Sequence, residues 1–291
     1  MTLIIDAIIT GLMAGGVYAL MATGMTLIFG VLEIINIAQG ILVVMGAYFS
    51  YTLSQRLHLD LFVGLLITMP VMFGIGIAIE WAFIRRIRRE RVMLSILVTF
   101  ALALVLEGIL SLFYGTDYVT LHAWYVDAAM PVAGFYLPYV DVFAFLLSVV
   151  LLFALFMLLY RTKFGHGVRA TMQDRTSALL VGIEVDRVQM LTFGIGVSLA
   201  AAGGVAFGAT NIFNAASSYD LISRLSVIIV LGGLGSLRGA LVASILMLVI
   251  GNVIAVVWSP TWSTLVFFVI LAAILLFRPQ GLFGQVEGRM Q

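Results

Sequence analysis

Apolar residues run along this chain in long continuous blocks, broken by short polar or glycine-rich interruptions. The blocks fall at about 3–28, 34–53, 61–84, 92–114, 139–159, 188–212, 225–257 and 262–277. A helix crosses a bilayer with about 20 mostly apolar residues, and several blocks supply that length. They are continuous rather than alternating, which excludes a β-barrel. The pattern predicts an all-α polytopic membrane protein of about eight hydrophobic segments, one transmembrane domain over residues 1–291. The first block follows no basic stretch and is too long for a signal peptide, so it is expected to be retained.

Arg and Lys mark the cytoplasmic side of such a protein. The run 84–91, IRRIRRER, holds five Arg and is placed inside. The 115–138 loop has no basic residue and contains Asp117 and Asp127, so it is placed outside. The 160–187 insert carries five of the fifteen basic residues and is inside, as is the tail with Arg278 and Arg289. The C-terminus is therefore cytoplasmic.

Parity then constrains the last third. Block 188–212 leads out and 262–277 leads back, so 225–257 must start and finish outside. A run of 33 residues doing so is not one straight helix. Its middle, GGLGSLRG, places Gly232, Gly233, Gly235 and Gly239 within eight residues, and each glycine weakens a helix by about 1 kcal/mol relative to Ala. A broken hairpin or re-entrant element is predicted, hinged or closely packed at these glycines. The alternative is a plain helix contact made by small residues. The same parity puts the N-terminus outside.

Composition agrees: 63% of residues are hydrophobic and 10% charged, against about half and a quarter in soluble domains. A lipid bilayer, and no nucleic acid, is the expected surrounding. The chain lacks Cys, which removes disulfides, thiolate catalysis and Cys-ligated metals. Lys163 is the only lysine and no phosphate-binding loop motif surrounds it. His58, His122 and His166 are dispersed, so no metal site is expected, and no GxSxG elbow occurs. The chain reads as a non-enzyme without a cofactor of its own; any ATP must be hydrolysed by another subunit.

Polar groups within the blocks are costly in lipid unless they face protein or water. Asn36 and Gln39 stand one turn apart in EIINIAQG, and Glu107 lies about fifteen residues into its block. Asn211 and Asn214 fall near the outer end of theirs. They are read as lining a solute path or as buried interhelical hydrogen bonds. Charges are too few for a proton relay of several members. The pairs Gly11/Gly15, Gly204/Gly208 and Gly235/Gly239 predict close helix crossings.

The insert Tyr160–Arg187 has no packing reason to exist in a chain made for lipid, and it reads as a docking surface for a soluble partner or, more plainly, as an interhelical loop. Residues 168–181 predict a short helix. Arg169 and Gln173 form its polar side, Ala178, Leu179 and Leu180 its apolar end, and Gly182 its stop. A short helix with an apolar tip suits a groove on another protein.

Several stretches together resemble a known family. GLMAGGVYALMATGMTLIFGVLEIINIAQGILVVMGAY is similar to the opening of the branched-chain amino acid ABC-transporter permeases, the LivH-like half. YRTKFGHGVRATMQDRTSALLVGIEVDRVQMLTFGIGVSLAAAGGVAFG resembles their cytoplasmic loop and following helix, and GGLGSLRGALVASIL and FRPQGLFG match as well. The resemblance implies a permease subunit of an ATP-driven importer in a bacterial or archaeal plasma (inner) membrane. It would pass branched-chain or related small amino acids by alternating access. It also implies a second related permease, two ABC ATPase subunits holding ATP and Mg, and an extracytoplasmic solute-binding protein. The ATPase-coupling element would be Gly167–Asp186, with Arg169, Asp174, Arg175, Gly182 and Asp186 on characteristic positions and Leu179 and Leu180 at its tip. The chain departs from the family where Gln39 replaces a frequent His, His166 a frequent Arg and Glu107 a frequent Gln. Urea, amides or small aromatic acids are alternative solutes, and an ATP-independent secondary transporter is the alternative mechanism.

Overall fold

The computed structural model describes residues 2–87, 91–121, 128–132, 135–278 and 280–284. Arg88, Arg89, His122, Asp127 and Arg289, used above for orientation and chemistry, lie outside the described residues. Eleven α-helices are described: α1 (Thr2–Leu32), α2 (Gln39–Leu57), α3 (Leu61–Ala82), α4 (Arg91–Tyr114), α5 (Tyr139–Arg161), α6 (Lys163–Gln173), α7 (Arg175–Leu180), α8 (Val185–Thr210), α9 (Ser217–Gly232), α10 (Leu237–Val257) and α11 (Pro260–Phe277). One tight 3-10 turn, Ile84–Arg86, follows α3, and an antiparallel pair, β1 (Ala129–Val132) and β2 (Phe135–Pro138), precedes α5. The all-α polytopic expectation holds. Seven helices among the described residues are long and apolar enough to cross a membrane: α1, α3, α4, α5, α8, α10 and α11.

Local chemistry sets the boundaries. Glu33 ends α1 in the left-handed region, φ 56°, with its N–H still bonded to the Phe29 carbonyl. Asp60 opens α3 by accepting from the Phe62 N–H, Ser236 opens α10 by accepting from Gly239, and Pro260 starts α11 where its missing N–H costs nothing. Helices apolar on every face belong in the interior. Accordingly Gln39–Tyr48 of α2 is buried residue after residue, and α8 is buried along most of its length. By contrast α4 exposes Leu104, Val105, Leu112 and Phe113.

The interior has a two-fold character that the block pattern did not reveal. In the first half α1 leads through a break at 33–38 into α2, then α3. In the second half α8 leads through a break at 211–216 into α9, then α10. The leading helices run antiparallel: Gln189, early in α8, donates to the Val31 carbonyl at the end of α1 (3.2 Å). They meet at reciprocal glycines. A β-carbon on Gly24 would lie 2.6 Å from the Gly196 carbonyl oxygen, and one on Gly196 2.7 Å from that of Gly24. Other contacts also cross between the halves, with α1 against α10, α8 against α3, and α2 against both α8 and α9. Gly40 of α2 abuts the Ser218 carbonyl of α9. Each break closes with the same turn, Gln39 N–H to Asn36 C=O (3.2 Å) and Ser217 N–H to Asn214 C=O (3.1 Å). Inverted halves of this kind are a common way to build a transporter.

The expected hairpin is present, with α9 and α10 joined by a turn at 233–236. Gly232 and Gly239 bring the limbs into backbone contact, while Gly233 and Gly235 adopt φ of 97° and 79° in the turn itself. Residues 281–284 return to cap it, Leu282 and Phe283 donating to the Leu231 and Gly232 carbonyls (2.7 and 3.2 Å) that a helix end leaves open. The sequence placed the start of this element at 225, but α9 starts at Ser217. Its first two turns carry Asp220 and Arg224, which end an apolar block without ending a helix. Of the small-residue pairs, Gly11 and Gly15 lie on α10 at Val249 and Ile245, and Gly204 and Gly208 on α2 at Val43 and Ala47. Of the third pair, Gly235 lies in the turn and only Gly239 makes a close approach, to Gly232.

Candidate functional site

Two places concentrate polar chemistry. The first is the end of the bundle where α6, α7, the turn after α3 and the α9–α10 turn meet. Thr162 links α5 to α6 by capping Gly165 N–H (3.1 Å). Gly165 rests on the Leu158 and Leu159 carbonyls and Gly167 faces Val188, so α6 lies close across the ends of α5 and α8. The Arg169 guanidinium covers the Tyr160 ring at 4.8 Å.

The helix expected over 168–181 is two helices. Asp174 is extended, ends α6 and caps α7, its carboxylate accepting from Thr176 N–H (2.9 Å) and the Ser177 hydroxyl. Those bonds, that to Ser177 first, hold its carboxyl below the usual aspartate range. Ala178 is buried and anchors α7, whereas Leu179, Leu180 and Val181 are 54%, 83% and 75% exposed. Gly182 ends the segment at φ 83°. Asp186 then accepts from Arg85 (2.9 Å) and faces Arg175 at 3.8 Å. Exposed pairs contribute about 1 kcal/mol at most, so they tie α7 and the turn after α3 only weakly to the start of α8. A cavity of about 560 Å³ opens beside them, bounded by Glu80, Trp81, Arg85, Arg175, Asp186 and Gln189 among others. A second, of about 540 Å³, lies beside Glu33, Arg169, Met172, Gly235 and Phe283.

The second place is the pair of breaks. Asn36 and Gln39 are 1% and 0% exposed. Asn36 Nδ2 donates to Gln39 Oε1 (3.0 Å) and Gln39 Nε2 to the Gly196 carbonyl (3.4 Å), tying the first break to α8. Thr99 of α4 accepts from Ile37 N–H (3.1 Å) and donates to the Ile35 carbonyl (3.2 Å). Asn214 caps α9 through Ser217 N–H (3.0 Å), and Asn211 bonds back to its own helix at Phe207. Glu107 is apart from the first pair, half-buried on α4, where it accepts from the Tyr219 hydroxyl (2.5 Å). So Asn36 and Gln39 come together in the interior, while Glu107 of α4 meets an exposed face of α9. Tyr219, Asp220, Ser223 and Arg224 of that face, and the buried Glu80, escaped the sequence. The helical spacing of the polar residues in SSYDLISRLS was the available signal.

The described residues show no group of three or more His, Asp or Glu placed to hold a metal. What fold and sites define is a multi-pass transport subunit: inverted halves around a buried centre, with an exposed apolar tip on a short helical segment at one end. The chain belongs to the family described as the permease component of branched-chain amino acid transport systems, whose model matches residues 7–275. It is 26% identical to the high-affinity branched-chain amino acid transport system permease protein BraD of Pseudomonas aeruginosa, over 97% of this chain and 96% of that protein. It is also 26% identical to LivH of Salmonella typhimurium, over 95% and 94%, and to the probable LivH of Methanocaldococcus jannaschii, over 91% and 88%. No solved structure matches.

Proposed function

We infer that the chain is the path-forming permease subunit of an ATP-driven importer for branched-chain or related small amino acids, working by alternating access as a single domain over residues 1–291. Membership of the family, and the high-affinity branched-chain systems named for its relatives, support the solute class. The observation that carries the mechanism is the exposed Leu179–Leu180–Val181 tip. It sits on a short segment joined directly to α5 at one end and α8 at the other. A push on that tip reaches both helices without passing through a flexible linker, and a secondary transporter has no use for such a tip. The docking partners are then two ABC ATPases binding ATP and Mg, with a second permease beside this chain and a solute-binding protein at the far end. The docking end, with Arg85, Arg175 and the C-terminal residues, is cytoplasmic, which places the N-terminus outside.

Replacing Leu179 and Leu180 together by Asp puts unpaired charge into the partner's groove. Because both side chains are exposed here, the permease should still insert and assemble its own bundle. Solute-stimulated ATP hydrolysis and uptake in proteoliposomes should fall by about tenfold or more. Fully coupled transport by the double variant overturns the assignment.

A further inference from the structure

The exposed face of α9 is charged at a depth where a membrane protein does not leave charge against lipid. Tyr219 is 47% exposed, and the side chains of Asp220 and Arg224 are 55% and 26% exposed. Arg224 lies seven residues into α9, and Glu107 lies seven residues before the end of α4. Both are therefore about 10 Å below the ends of their helices at 1.5 Å per residue. On either side the surface is apolar, Leu104 and Val105 on α4 and Phe268 and Val269 on α11. A charged strip between two apolar faces at that depth must meet water or protein.

The strip is ordered. Arg224 donates through Nε to Asp220 (2.9 Å), so the terminal nitrogens of its guanidinium fork are not what holds it there. Its guanidinium also lies over the Phe267 ring of α11 at 5.6 Å. Glu107 is steadied by Tyr219, and Ser223 bonds its own helix. A cation and a carboxylate of α9 thus stand one helical turn apart, with a second carboxylate, Glu107 of α4, held on the hydroxyl of the adjoining Tyr219. An α-amino acid brings one carboxylate and one ammonium. A guanidinium fork matches the first, and Asp220 or Glu107 the second. Urea and simple amides present neither charge.

We propose that this face of α9 is a wall of the solute path, and that Arg224 receives the carboxylate and Asp220 with Glu107 the ammonium of a zwitterionic amino acid in transit. The proposal rests on the permease function inferred above. It assigns the path to the outer face of α9, not to the buried Asn36–Gln39 pair. Because Arg224 and Asp220 already neutralise one another, the zwitterion exchanges partners along the wall and is not trapped by a lone charge.

The natural absence of Cys makes the test direct. In the full transporter in proteoliposomes, Ser223→Cys and, on the apolar face of α4, Val105→Cys are treated with a membrane-impermeant thiol reagent. Ser223→Cys should react at least about tenfold faster, as a wet position does against one in lipid, and L-leucine should slow it where leucinamide, which lacks the carboxylate, does not. Arg224→Gln should lower kcat/KM for L-leucine by about tenfold or more, the loss of a charged hydrogen bond, in a complex that still assembles by size-exclusion chromatography. Equal reactivity at the two cysteines, with unchanged uptake by Arg224→Gln, overturns the wall while leaving the importer intact. Shielding of Ser223→Cys with cross-linking to the second permease instead makes the face a subunit contact and also overturns it. A wild-type transporter that moves no amino acid overturns the solute class on which the proposal stands.

Discussion

Asp174 decides how the α6–α7 segment is built. Residues 168–181 contain good helix formers throughout, and propensity alone runs one helix through them. The carboxylate competes by bonding the backbone two residues ahead, which favours caps over helix interiors. Read from the sequence, one helix runs through Asp174, because nothing in the pattern shows that α6 must turn before Ala178 can be buried. Asp174→Ala removes the cap and should loosen the start of α7. Faster amide hydrogen exchange over 175–180 and weaker ATPase stimulation are expected, and Asp174→Ser should recover most of both. Since the folded carboxyl is held below its unfolded value, the cap's contribution is complete above the ordinary aspartate pKa. It is lost only as pH falls through the depressed one. Unchanged exchange in Asp174→Ala would show that tertiary contacts alone hold α7.

At the scale of elements the hairpin of α9 and α10 shows what a sequence can and cannot say. Its turn was legible because Gly232–Gly239 is too glycine-rich for a helix in that place. The start of α9 was not, because Asp220 and Arg224 break an apolar run without ending a helix that has one exposed face. The two pairs of glycines also do different work. A β-carbon on Gly239 would strike the Gly232 backbone, whereas one on Gly64 would find nothing nearer than 3.7 Å. Gly239→Leu should therefore reduce the amount of folded permease recovered in detergent severalfold, consistent with the cost of overpacking, about 1–3 kcal/mol or more. Gly64→Leu should leave recovery near the wild-type level. Similar recovery of the two variants would mean the limbs of the hairpin are looser than their backbone contact implies.

For the molecule as a whole, the all-α multi-pass class was legible from apolar length, with about eight blocks expected against seven helices long and apolar enough to span among the described residues. The inverted repeat was not. Asn36-x-x-Gln39 and Asn214-x-x-Ser217 share one identical residue, α2 and α9 differ by three residues, and side chains serving opposite surroundings have no reason to match. The topology has a checkable outcome. Counting α2 and α9 as traverses, nine helices separate the two chain ends, so a cysteine at Leu3 and one at Gly284 should react with an impermeant reagent from opposite sides of sealed vesicles. Labelling of both from one side would remove a traverse and break the symmetry.

That symmetry has a mechanical meaning. The first break is sealed in the interior by Asn36, Gln39 and Thr99, whereas the second is latched to the chain beyond α4 by the Val119–Phe213 bridge and lies beside the open strip on α9. Two copies of one joint thus stand in different settings within one chain. Exchanging the settings, sealing the second joint and freeing the first, is the rearrangement that the alternating access inferred above calls for, and it uses the same set of helices.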